Sequence, residues 1–388
     1  MPHVYGLNSD QVQIQERATA IANGVLRNQA RDVDAVGRFP KESVAALAAN
    51  GFLGLAVAPE FGGGGEGMRV FAGAVESLAQ SCSSTAMVFV MHVAATQAIA
   101  ASTTFEKKDD VLRSIAAGAH LTTLAFSERG SRSQFWAPVS RLEESNGGFV
   151  VSAQKSWITS AEHADSYVSS AQQPGAGSPL ESALYLVRRT DKGVRVLDAF
   201  DGLGLRGNES APVVLDRTVV SRRDLLTPLG EGAAAMLNVV LPWFSVGSAA
   251  MANGLCRAAL TATVDHFQKA GFEHTGTSLR DLPVLRARLA DMSVRTEQAS
   301  ALLRRALDEL ESGSAVAPLF VLQTRLASIE AALDVTDLAM KACGGAAFSR
   351  HLELERFFRD ARAGWVMAPT ADHLRDFVGR ALTGLPLF

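Results

Sequence analysis

The 388-residue sequence predicts a mostly helical α+β protein in three parts. Two observations carry that prediction. Apolar residues recur at helical spacing over both ends of the chain, and between them, from about Thr122 to Pro228, the spacing drops to two. The parts are an N-terminal α-helical domain (1–121), a middle antiparallel β-barrel or sandwich domain (122–228) and a C-terminal four-helix bundle (229–388). Apolar residues make up 47% of the chain, enough to fill a core in each.

In the first part, "KESVAALAANGFLGL" and "MRVFAGAVESLAQ" carry the helical period. The break between them, "FGGGGEG" (Phe61 to Gly67), lacks the Gly-Lys-Ser/Thr ending of a phosphate loop and reads as a flexible turn. The apolar stretch Ser83 to Ser102 approaches the length of a membrane span. It is Ala- and Thr-rich and carries His92 and Gln97, so it predicts a buried central helix, with Ser83 and Ser84 as N-cap candidates. His92 on such a helix is more often a satisfied core residue than a catalytic one.

The middle part opens with "LTTLAF", followed by the polar loop "ERGSRS" (Glu128 to Ser133). Strands follow in "GGFVVSAQKSWI", "ALYLVRRTDKGVRVLDAF" and "SAPVVLDRTVVSRRDLL". Trp157 stands out at the end of the first of these. An indole needs apolar contact and a partner for its N–H. Either it plugs a local core or something flat and polar lies against it.

The last part repeats long amphipathic runs, among them "AAMANGLCRAALTATVDHFQKA" and "FVLQTRLASIEAALDVTDLAMKACGG", of a length that packs as an antiparallel bundle. Gly344 and Gly345 close one run as a helix C-cap does.

Several classes of function are excluded. The net charge is −3 and the basic residues are scattered, which is no nucleic-acid footprint. No His/Cys/carboxylate group has metal spacing, and no Gly-x-Ser-x-Gly elbow occurs. Cys82, Cys256 and Cys343 are too few and scattered for a disulfide framework, and the start lacks the basic-then-apolar order of a secretory signal, so a reducing cytoplasm is expected.

Seven segments, in order along the chain, carry a resemblance: "GFLGLAVAPEFGGGG" at Gly51, "LAFSERGSRS" at Leu124, "QKSWITS" at Gln154, "LGLRGNESAPVVLDRTVV" at Leu203, "LGEG" at Leu229, "CGGAAF" at Cys343 and "RFFRDARAG" at Arg356. Over nearly its whole length the chain resembles the acyl-CoA dehydrogenase superfamily of flavoproteins. The resemblance implies that family's fold, bound FAD, an acyl-CoA or acyl-carrier-protein substrate, an electron acceptor or oxygen, and a homodimer or homotetramer. It places Trp157 against the isoalloxazine and Thr159 near its N5 or O4. Leu124, Phe126 and Ser127 fall on its pyrimidine side, Ser133 near the thioester, and Thr370 and Asp372 on the ribityl or adenine side. Lys341 stands, with Gly344 and Gly345, where relatives approach the diphosphate; a lysine on an exposed helix face is the equal alternative.

The departures are equally informative. The family's usual Glu, which takes the α-proton of the thioester, corresponds here to Ala368, beside Met367. The position on an earlier helix that a minority of members use corresponds to Phe244. Neither can ionise, and proton transfer needs a base within reach of the α-carbon. Three readings stay open: an FAD-dependent dehydrogenase of an acyl thioester with a base from elsewhere, His92 being the titratable candidate; a flavin monooxygenase on the same fold; and a non-catalytic partner subunit. Phe244, Met367 and Ala368 are expected to shape the substrate pocket.

Overall fold

The computed structural model describes residues 5–387. Asn8 opens the first helix with a capping box, its side chain accepting from the N–H groups of Asp10 and Gln11. Helix α1 (Ser9–Ile21) continues through a π turn (Ala22–Leu26) into α2 (Arg27–Val36); α3 (Lys41–Ala49), α4 (Met68–Ala79), α5 (Ser83–Ala100) and α6 (Lys108–Ala116) complete the first part. The strands of the middle part are β1 (Thr122–Ala125), β2 (Leu142–Ser145), β3 (Gly148–Ile158), β4 (Ser166–Gln172), β5 (Ser182–Arg188), β6 (Val194–Val196) and β7 (Ala211–Ser221). A short α7 (Gly232–Ala235) leads to the bundle: α8 (Leu241–Lys269), α9 (Pro283–Glu311), α10 (Ala317–Cys343), a turn of helix α11 (Gly345–Phe348), α12 (Leu354–Val366) and α13 (Ala371–Thr383).

The middle part is two small sheets. One has the order β2-β3-β7-β6 and is wholly antiparallel; the other has the order β1-β4-β5, in which β1 runs parallel to β4, an exception to the all-antiparallel expectation. A parallel pair needs a long connection, and the loop after β1 together with β2 and β3 supplies it. Phe149, Val151, Ile158, Tyr167, Tyr185 and Val213 fill the space between the sheets.

Helix α5 runs through the centre of the molecule. By length and composition it and Gly232–Lys269 could each cross a membrane, yet 83% of the α5 span is buried by the rest of the chain. The expected serine cap of α5 is absent: Cys82 holds the N-cap position, its Sγ accepting the Thr85 hydroxyl at 3.3 Å, and the Ser84 hydroxyl accepts the N–H of Gly207. That contact ties the central helix to the Leu203–Asn208 loop, where a Cβ at Gly207 would collide with Val33. The Phe61–Gly67 turn is likewise packed rather than flexible. Gly64, Gly65 and Glu66 donate to the carbonyls of Gly54, Val57 and Leu55 at 3.0, 2.8 and 2.9 Å, and a Cβ at Gly63 would strike the Val57 carbonyl.

Candidate active site

The site grows out of the edge of the middle part. Beyond β1 the chain passes Phe126 and Ser127 and enters the loop from Glu128 to Arg141. The Ser127 carbonyl accepts the Ser156 N–H at 2.9 Å and the Gln154 carbonyl accepts the Arg129 N–H at 2.9 Å, so the loop is zipped onto the last residues of β3. Underneath, the Lys155 Nζ donates to Glu128 Oε1 at 2.6 Å and to the Ser170 carbonyl at 2.7 Å. The second Glu128 oxygen accepts the N–H groups of Val139 and Ser140 at 2.6 and 2.8 Å. Burial alone would raise the Glu128 carboxyl, but the Lys155 ammonium and the Ser140 hydrogen bonds hold it below the usual range. Sequence reasoning missed this pair. The available signal was the register of Lys155, which shares the inward face of β3 with Phe149, Val151 and Ala153.

Two residues further on, the pairing of β3 with β7 shifts and Trp157 adopts a left-handed backbone with φ of 58°. Its side chain is 58% exposed, with the ring stacked on Phe200 at 4.0 Å between centroids. The core-plug alternative is thereby ruled out. Thr159 is buried, and its hydroxyl makes no hydrogen bond among the described residues. Arg132 and Ser133 at the tip of the neighbouring loop are also left-handed.

From the loop, a chain of rings reaches the last helix. Phe126 stacks on Phe135 at 6.2 Å, Phe135 meets Trp136 edge-on at 5.2 Å, and Trp136 meets Phe377 and His373 of α13 at 5.4 and 5.7 Å. The same apolar cluster takes in Leu124, Phe244 and Ala368. Thr370 is the N-cap of α13, its hydroxyl accepting the His373 N–H. Asp372 is exposed and paired with Arg375 at 3.1 Å.

Between Phe244 and Met367 the structure places a residue that sequence reasoning overlooked. Arg325, fully buried on α10, lies over the ring of Phe244 at 4.6 Å and donates from Nη2 to the Met367 carbonyl at 3.0 Å. Its Nε and Nη1 have no hydrogen-bond partner, and no carboxylate among the described residues forms an ion pair with it. Burial pushes the guanidinium down to about 9, so it still carries its charge at neutral pH. Arg325 lines a small cavity with Ser248, Met251, Ile329, Asp360 and Met367. Asp360, the carboxylate of that cavity, is turned to the Leu205 N–H at 2.7 Å; burial pushes it up to about 6 in spite of the nearby Arg356.

The structure also fixes the surroundings of His92, Lys341, Gly344 and Gly345. His92 has no lone pair free to take a proton: Nε2 donates to the Leu53 carbonyl at 3.0 Å, while Nδ1 accepts the Thr122 N–H at 3.1 Å. Burial pushes it down to about 4, and it pins α5 to β1 and to the turn after α3. Lys341 is exposed and paired with Asp337 at 2.6 Å. Gly344 does end α10, in a backbone conformation (φ 55°, ψ −131°) that favours glycine, and Gly345 starts α11.

A helical domain, two small sheets and a helical bundle, in that order along the chain, are the architecture of the acyl-CoA dehydrogenase flavoproteins. The chain belongs to the acyl-CoA dehydrogenase family. It matches the family's N-terminal, middle and C-terminal domain models over residues 8–119, 123–218 and 230–383. It is 26% identical over 383 residues to a probable acyl-CoA dehydrogenase of Mycobacterium leprae, covering 98% of this chain and 97% of that one. It is also 26% identical over 388 residues to the 3-sulfinopropanoyl-CoA desulfinase of Paraburkholderia xenovorans, covering 99% and 98%. The fold superposes on butyryl-CoA dehydrogenase from Megasphaera elsdenii with a TM-score of 0.92 at 21% identity, covering 97% and 99%.

Proposed function

We propose that the protein is an FAD-dependent oxidoreductase that acts on the CH–CH bond of an acyl thioester, carried by CoA or by a carrier protein, with no carboxylate at either position from which the family takes the α-proton. The observation that carries this reading is Trp157, an indole more than half exposed on left-handed backbone beside the Ser127 segment. Such backbone costs energy and clusters at ligand sites, where the surroundings hold it in place.

The residues fit the cofactor. Trp157 offers an aromatic platform for a flat ring, and the Thr159 hydroxyl is free to donate a hydrogen bond beside it. The buried Glu128–Lys155 pair fixes the two segments against each other. FAD, when bound, supplies the hydride acceptor. On the substrate side, Phe244, Met367 and Ala368 present apolar surface, and Ser133 lies on the loop nearest the Trp157 segment.

The similarity to proteins named for acyl-CoA substrates supports the thioester. The test is anaerobic mixing of FAD-loaded protein with a panel of acyl-CoA and acyl-carrier thioesters, followed by flavin absorbance. Bleaching is expected with at least one thioester. A flavin that stays oxidised with all of them overturns the dehydrogenation, and a protein that retains no FAD overturns the cofactor.

A further inference from the structure

A buried guanidinium needs partners for five N–H donors, and burying a charge without a counter-ion is among the costlier things a fold does. Other buried cations of this protein are provided for. Lys155 has Glu128 and the Ser170 carbonyl, and Arg356 has the Ser81 carbonyl and Glu353. Arg325 has one carbonyl and the face of Phe244, with Nε and Nη1 left over. Asp360 does not complete it, since its carboxylate serves Leu205 and lies beside Arg356.

The place of the unpaired charge is as telling as its lack of a partner. Phe244 and Met367 come from α8 and from the turn after α12, and the guanidinium bridges them. Met367 adjoins Ala368, so the cation stands at the junction of the two positions that lack a carboxylate. The cavity on its open side has room for about one water, about 10 Å³. Met251 and Met367 form part of its wall, and unbranched thioether side chains move readily to admit a larger group.

We infer that Arg325 is the receptor for an anionic group on the substrate's acyl chain, so that the thioester acted on carries a carboxylate or an equivalent oxyanion. Nε and Nη1 lie on different edges of the guanidinium, and each leaves a charge-assisted donor for an oxyanion. The inference rests on the acyl-thioester reading and narrows its substrate class.

Calorimetric titration of the FAD-loaded protein with succinyl-CoA and glutaryl-CoA, each against its neutral counterpart butyryl-CoA or pentanoyl-CoA, tests it. The anionic thioesters are expected to bind ten- to a hundredfold more tightly, the range for a charge-assisted pair. Arg325→Met is expected to bring that ratio to near one. Wild-type protein that binds the neutral thioesters as tightly overturns the inference without recourse to any variant, and so does a preference that survives Arg325→Met. Should no thioester bind, the thioester reading fails by itself. Free glutarate then reports on Arg325: a rise in melting temperature that is absent in Arg325→Met upholds an acyl-anion receptor, whereas no rise, or an equal rise with chloride, overturns it.

Discussion

Two buried cations divide this molecule into a finished region and an open one. Lys155, under the loop after β1, is enclosed by a carboxylate and a carbonyl, and that carboxylate in turn holds three donors of its own loop. Arg325, in the bundle, has a single carbonyl and an aromatic face. A saturated buried ion pair can only be broken, so it serves as architecture. An unsaturated one has capacity left for something that arrives later. Removing one member of each should therefore act in opposite directions.

The largest effect is expected at the finished region. Glu128→Ala strands the Lys155 ammonium and frees the N–H groups of Val139 and Ser140, and should cost about 3–5 kcal/mol of stability, read from urea denaturation. A second change, Lys155→Met, removes the stranded charge and should recover much of that loss. If the single substitution costs under about 1 kcal/mol, the pair is not what holds the loop and the contrast collapses.

Titration provides a second contrast, between His92 and Asp360. His92 falls from 6.5 to about 4 on folding, so the unfolded chain binds the extra proton and stability rises with pH between those values. Asp360 rises from 3.8 to about 6, so the folded chain binds the extra proton and stability falls as pH rises through that window. Each is worth about 3 kcal/mol, and over roughly pH 4 to 6 they nearly cancel. Asp360→Asn keeps an acceptor for the Leu205 N–H and removes the opposing titration. Its urea midpoint should therefore climb steeply between pH 4 and 6.5 where the wild type is nearly flat. A variant profile parallel to the wild type would show that Asp360 does not titrate in this window.

Arg325→Met supplies the other half of the opening comparison. With no ligand bound, it removes an incompletely paired buried charge and leaves an apolar chain among Phe244, Leu322 and Ile329. Stability should hold or rise by up to about 2 kcal/mol. A loss of 3 kcal/mol or more in the same denaturation experiment would mean that the guanidinium is architectural, like Lys155.

What the sequence made legible follows the range of the interactions. Periods of 3.6 and 2 arise from local geometry, and they delivered the helical, β and helical order and the place of the Trp157 segment. Arg325 was hidden because its partners, Phe244 and Met367, are dozens of residues away and meet it only through tertiary packing. One trace was available. Arg325 shares a helical stripe with Leu322, Ile329 and Ala332, all buried, and a charge on such a stripe is anomalous. Ser84 shows the converse, since a good capping residue is spent on Gly207 of a distant loop when tertiary contacts offer more.

Trp157 is where the smallest change in stability should accompany a large change in function. The side chain is 58% exposed and its backbone is left-handed, so Trp157→Gly gives up the stacking on Phe200 but relieves the strain at φ of 58°. The two terms are of similar size, and the urea midpoint of the FAD-free protein should move by less than about 1 kcal/mol. Flavin retention through gel filtration should nevertheless drop at least tenfold, because the exposed indole face is surface that the fold itself does not use. A variant that loses stability yet retains its flavin would place Trp157 with Lys155 among the structural residues, and would move the cofactor away from this edge of the sheet.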